Sequence, residues 1–521
     1  MGVLQIFIDD TIAAFKGVGD AFASGSFDNI MESLGGLVWS PPLVILCLCA
    51  GTYFSIRTRF LQVRKVKKMV SLLFTGGSSD QGVSSFQAFA MSVAGRVGIG
   101  NIMGVATAIG FGGPGAMFWM WLIAFLGAGS AFVESTLAQL YKEELHGEYR
   151  GGPAYYFRAL GFKKLAVVFM IATVFACGLA LPGIQANSIG ATMSSAFDIS
   201  TAIPVGIVAV LIAFVVMGGT KGIAKVAEIV VPFMSGAYIL VALIILAINI
   251  TEIPYVFSLI FKSAFGLEAG LGGIIGSTIL WGVKRGVFSN EAGQGTGAHP
   301  AAAAEVSHPA KQGLVQAFSV YFDTLFVCTA TGLAIIVTNQ FNILSVESVP
   351  SQILVNSSLT ETSQFAASAF STLLGSFGGA FIALSLFFFA FTTLIALYYY
   401  AETNLQLAIA KYSDQTRNIS VWVLRIIYVG AVVLFGLRSS GAAWGAADMG
   451  VGLMAWINIV GILIIAKPAL LAFKDFERRQ KAGTDDEWFT VDDMPAEERA
   501  HMKNVTFWTK ENLASKIEKN K

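Results

Sequence analysis

Two glycine-rich stretches carry most of the chemistry legible in this chain. The first is Val97-Gly98-Ile99-Gly100-Asn101, preceded by Ala94, Gly95 and Arg96 and followed by Gly104. The second runs from Gly282 to Gly297 and sets Lys284, Arg285, Asn290 and Glu291 among further glycines. Glycine weakens a helix by roughly 1 kcal/mol per residue, so each stretch breaks the helix around it. A broken helix frees backbone groups. Freed amides suit a carboxylate, and freed carbonyls suit a hard cation such as sodium. The alternative is that the glycines only let helices pack closely. Two breaks, one with three charged residues inside it, favour the site.

The elements that hold these stretches are membrane spans. The 521 residues are 55% hydrophobic and 13% charged, about half the charged fraction of soluble domains. Mean hydropathy is +0.68. A span takes ~20 mostly apolar residues. Eleven are expected, near 40–56, 83–110, 114–140, 165–196, 201–217, 226–250, 270–304, 313–338, 376–410, 419–437 and 444–472. The broken stretches fall in the second and the seventh. A separation of five spans is the mark of a five-plus-five inverted repeat, 83–250 and 270–472, with one extra span in front. Irregular backbone at membrane depth survives where it is buried in protein or lines a cavity.

Lys and Arg collect in loops of one parity: Arg57, Arg59, Arg64, Lys65, Lys67 and Lys68 after the first span, Lys142 and Arg150 after the third, Lys221 after the fifth. The positive-inside rule puts these in the cytoplasm and the N-terminus outside. Residues 1–38 are expected as an amphipathic interfacial segment on the periplasmic side. Residues 474–521 are expected as a charged cytoplasmic tail, helical in short pieces or disordered, with too few apolar residues for a core. Cys47, Cys49, Cys177 and Cys328 lie in apolar segments and the four histidines form no ligand pattern, so they point to neither a disulfide framework nor a metal cluster. The net charge of +1 and the lack of a long basic run offer nothing to a nucleic acid. The chain starts without a basic stretch and cleavage site, so no removable signal is expected.

Specific residues then match a known family. Gly113-Pro114-Gly115-Ala116-Met117-Phe118-Trp119-Met120-Trp121, with Gly127, resembles the signature of the alanine or glycine:cation symporter (sodium:alanine symporter) family. Val97 to Ile102, Gly104 to Ile109, Arg285 to Gly293, Gln185 to Ser188 and Asp323-Thr324 are similar to family segments, in order, over about 40–470. The resemblance implies a LeuT-type, all-α polytopic fold in a bacterial inner membrane. It implies uptake of alanine or glycine with sodium, or in some members protons. A monomer among membrane lipids would suffice for transport, the oligomeric state staying open, with a small amino acid as the partner. Carried over from the leucine transporter, the unwound Gly98, Ile99 and Gly100 would hold the substrate carboxylate on the amides of Ile99 and Gly100. The carbonyls of Ala94 and Val97, with the hydroxyls of Thr392 and Thr393, would hold sodium. Asn101 would serve a second sodium or tie the broken strand. Gln185 is expected as a polar pocket residue, and Trp281 and Phe288 as hydrophobic walls or plain packing.

Other charges have structural readings. Arg96 is expected in the unwound stretch, paired with Asp323 or Glu291; the alternatives are substrate contact or occupation of a would-be cation position that changes the coupling ion. Glu134 is expected to be turned inward and hydrogen-bonded. Lys284, Arg285 and Glu291 are expected to lock the seventh span. The sequence holds no Walker motif, Ser/His/Asp set or haem ligand pair. A carrier driven by an ion gradient therefore stands ahead of proton-coupled uptake of a related amino acid such as serine, a channel or an enzyme.

Overall fold

A computed structural model describes residues 2–24, 26–75, 77–267, 275–344, 353–356, 358–438 and 440–519. Helices dominate. The strands are two short antiparallel hairpins, Glu143–Leu145 with Glu148–Arg150 and Asn342–Ile343 with Ile353–Leu354. Among the described residues, eight helices are long and apolar enough to cross a membrane. A ninth candidate is the pair Ser85–Arg96 and Gly100–Gly112, bent by 54°. Two of the expected eleven fall short of that measure. Ala202–Val216 is apolar but has 15 residues. The seventh consists of Ile275–Asn290, an irregular stretch and the short helix Ala298–Ala303, and its first residues, 270–274, lie outside the described residues.

The second span begins with a capping box. The Ser84 hydroxyl accepts the Gln87 amide at 3.1 Å, and Gln87 Oε1 accepts the Ser84 amide at 3.0 Å. Just before it, Val83 pairs with the far end of the seventh span. The Val83 N–H donates to Ala303 O (3.0 Å) and its carbonyl accepts from Glu305 (2.8 Å). The two broken spans are therefore tied by backbone at one end. Three π-helical turns, Gly100–Gly104, Ala176–Ala180 and Phe322–Cys328, lie in the second, fourth and eighth spans. Such widened turns recur at functional sites.

Both ends of the chain differ from expectation. Phe27–Val38 lies inside the segment assigned to the interface, yet it runs with Pro41–Arg57 as one candidate span of 31 residues. Its Gly35 packs so tightly on the helix Ser440–Ile465 that a Cβ would come within 2.7 Å of Gly445 O. Trp39 Nε1 donates to Asp448 O on that helix at 2.9 Å. The tail is docked. Phe489, Val491, Met494, Met502, Val505 and Leu513 are buried, and Trp508 is wholly so. Trp508 Nε1 donates to Gln139 O at 2.7 Å. A few large aromatic side chains supply the apolar area that the count of apolar residues understates.

Candidate functional site

The helix Ser85–Arg96 ends at Val97, whose ψ of 88° leaves the helical region. The side chain of Asn101 bridges the break by accepting the Gly98 N–H on Oδ1 at 2.9 Å. Its amide nitrogen donates to Asp323 Oδ1 at 2.6 Å. Of the two roles expected for Asn101, tying the broken strand is the one its hydrogen bonds perform. Gly98 has to lack a side chain, because a Cβ would lie 2.5 Å from the Thr393 hydroxyl.

That approach builds an oxygen cluster. Thr393 Oγ1 lies 3.0 Å from Ala94 O, 3.4 Å from Val97 O and 3.0 Å from Phe389 O. One hydroxyl proton satisfies only one of three carbonyls. The Phe389 contact is a back-bond within the helix; the oxygens of Ala94, Val97 and Thr393 lie close together across the break, a donor set of the kind that takes a hard cation without a formal negative charge. Thr392 is not part of it. Its hydroxyl bonds back to Phe388 O and Phe389 O and touches Met234 Sδ, because the next residue along a helix points about 100° away.

The amide of Ile99 donates to Gln185 Oε1 at 3.4 Å. The Gln185 oxygen thus stands in for the carboxylate oxygen that this amide was expected to hold. Gly98, Gly100, Gln185, Phe288 and Thr393 line a cavity of about 20 Å³ together with Arg96, Glu291 and Gln294. That is room for about one water, so the site is closed. Of the two aromatic side chains expected as walls or plain packing, Phe288 lines this cavity. Trp281 does not: it sits against Phe111, with ring centroids 4.9 Å apart, beyond the cavity lining.

The seventh span is locked as expected by Lys284 and Arg285, but through an acid the sequence reading missed. Lys284 Nζ lies 2.7 Å and Arg285 Nη1 3.0 Å from the carboxylate of Asp448. Asp448 could have been found from its place inside an apolar helix, where an acid needs a partner. Glu134 is turned inward and accepts the Gly295 amide (3.0 Å) and Asn458 Nδ2 (2.7 Å), which fixes the unwound part of the seventh span. Among the described residues, the Glu291 carboxylate accepts from the Thr296 hydroxyl there, at 2.9 Å. Asp323 joins both broken spans: Oδ1 accepts from Asn101 and from Ser289 (3.1 Å), and Oδ2 from Thr324 (2.8 Å).

Arg96 departs from expectation. It is 2% exposed and closes the last turn of its helix rather than lying in the unwound stretch. It forms no ion pair with Asp323 or Glu291. Its Nη1 contacts the Ser319 hydroxyl and, at 3.5 Å, Gln316 O.

The model of the sodium:alanine symporter family matches residues 24–490. A putative sodium/proton-dependent alanine carrier, YrbD of Bacillus subtilis, is 50% identical over 489 residues, 93% of this chain and 98% of that protein. The sodium/proton-dependent alanine carrier of Bacillus sp. strain PS3 is 44% identical, covering 84% of this chain and 97% of its own. A probable sodium/glutamine symporter, GlnT of Bacillus subtilis, is 38% identical, covering 88% and 92% respectively.

Proposed function

Because the chain belongs to the sodium:alanine symporter family, we propose that it carries alanine across a membrane together with a cation, sodium first. The observation that carries this reading is the convergence of Ala94 O, Val97 O and Thr393 Oγ1 beside the freed amides of the same broken helix. Sodium takes the oxygens. The substrate carboxylate takes the Ile99 and Gly100 amides once Gln185 yields the former. Phe288 closes the apolar side over the methyl group. Cation and carboxylate then lie on adjacent turns of one backbone, so each favours the other by direct attraction. Binding energy shared in this way couples the two fluxes.

Alternating access is the reason the cavity is closed here: substrate reaches it only after the surrounding spans rock apart. Eleven crossings in a five-plus-five repeat of LeuT type accommodate both breaks at the membrane midplane. The Lys and Arg asymmetry of the loops supports an N-terminus in the periplasm and a tail in the cytoplasm of a bacterial inner membrane, with one chain among its lipids sufficient for transport.

Labelled alanine supplied to proteoliposomes under an inward sodium gradient tests this. Accumulation that collapses when the gradient is dissipated is expected, with unlabelled alanine competing better than glutamine. No gradient-dependent accumulation by folded protein would sink the reading. Equal accumulation under a proton gradient without sodium would move the coupling to protons.

A further inference from the structure

We infer that Arg96 and Glu291 form an ion pair in the emptied carrier and so allow it to return without cargo. The inference rests on the symport reading above. Its starting point is an unused edge. Among the described residues, Nε and Nη2 of Arg96 have no hydrogen-bond partner, although the side chain is buried. These two groups are one edge of the guanidinium fork, the geometry that grips a carboxylate with two parallel bonds. A buried charge held only by neutral groups is costly and persists where another state supplies a partner.

Three buried acids lie within electrostatic reach of Arg96: Glu134, Glu291 and Asp323. Asp323 has both oxygens engaged by Asn101, Ser289 and Thr324. Glu134 is held through Oε2 by Gly295 and Asn458 on a continuous helix; its Oε1 has no partner among the described residues, but it does not line the cavity that Arg96 and Glu291 share. Glu291 lines the same cavity as Arg96. It is the first residue beyond the helix Ile275–Asn290 and has a φ of 55°. The left-handed region is strained for a residue with a Cβ, and such strain marks switch segments. A single hydroxyl holds its carboxylate.

The cation site explains when the pair forms. Ala94 and Val97, whose carbonyls face the cation, flank Arg96 in the chain. A cation held there repels the guanidinium and favours a position turned to Ser319 and Gln316 over one turned to Glu291. Once cation and alanine leave, that repulsion ends. The guanidinium is then free to take Glu291, and the empty cavity closes over a neutral pair rather than two separated charges.

Exchange and net uptake separate the two halves of the cycle. Exchange of labelled for unlabelled alanine, with sodium on both sides, never needs the empty carrier to return; net uptake does. For Glu291→Gln, and independently for Arg96→Gln, the ratio of net uptake to exchange should fall about tenfold or more, the scale of losing one partner of a buried pair. The Glu134→Gln protein should keep the wild-type ratio. The inference is overturned if the ratio is unchanged in Glu291→Gln, or if Glu134→Gln shows the drop instead. Should Arg96→Gln fail to fold, the near-isosteric Glu291→Gln decides alone. Wild-type protein that shows neither uptake nor exchange would defeat the symport reading rather than the pair.

Discussion

Thr392 and Thr393 are chain neighbours with the same side chain, and only one of them faces the broken span. Thr393→Val removes the hydroxyl oxygen that lies 3.0 Å from Ala94 O and keeps the side-chain shape. The sodium concentration for half-maximal alanine uptake should rise about tenfold, equivalent to about 1.4 kcal/mol. Thr392→Val loses bonds to its own helix and a weak contact to Met234 Sδ, none of them to the broken span, and should leave that concentration within about twofold, since helix back-bonding contributes little. Uptake measured against sodium concentration checks both. Equal effects would place the cation elsewhere.

At the scale of elements, the tail is held against the helices by aromatic packing and one histidine. His308 caps the helix Pro309–Tyr321, its Nδ1 accepting the Ala310 amide at 3.1 Å. The proton is therefore on Nε2, which donates to Asp475 Oδ2 at 3.4 Å. Phe489 of the tail stacks near the His308 ring, with centroids 4.7 Å apart. Burial pushes the His308 imidazole down from 6.5 to about 4, although Asp475 pulls the other way. Burial works against the Asp475 carboxylate, but the bond from His308 and the charge of Arg479 hold it well below the usual range. The sign follows. Between pH 6.5 and about 4 the undocked state binds a proton that the docked state refuses. Docking should weaken as pH falls through that window, by about 1.4 kcal/mol per unit. Above it His308 contributes no slope, and the Asp475 contribution is lost only at lower pH still. Protease cleavage of the tail should accelerate from pH 7 to pH 5 and lose most of that dependence in His308→Asn. Trp508→Ala should expose the tail at every pH, a wholly buried tryptophan being worth about 3–5 kcal/mol.

For the whole molecule, the proposed orientation rests on the positive charge along one face. Arg57, Arg59 and Lys474 lie together around one groove with Lys467, all on the side assigned to the cytoplasm. A fluorescent protein fused after Lys521 should fluoresce, and alkaline phosphatase fused there should be inactive while an N-terminal fusion is active. The opposite pattern would invert every assignment of inside and outside made above.

The amino-acid sequence alone determined that this is a polytopic helical membrane protein. It marked the two places where helices break, because apolar length and glycine content are local properties that no packing can hide. It also carried the family, since Gly113 to Trp121 and Val97 to Ile102 are contiguous motifs. Tertiary structure decided what depends on direction and distance. It chose Thr393 over Thr392, moved Trp281 away from the cavity, gave Lys284 and Arg285 the partner Asp448 and left one edge of Arg96 unpaired. Helical phase at one position, and acids 163 residues away along the chain, settle those outcomes. Neither is visible until the helices are packed.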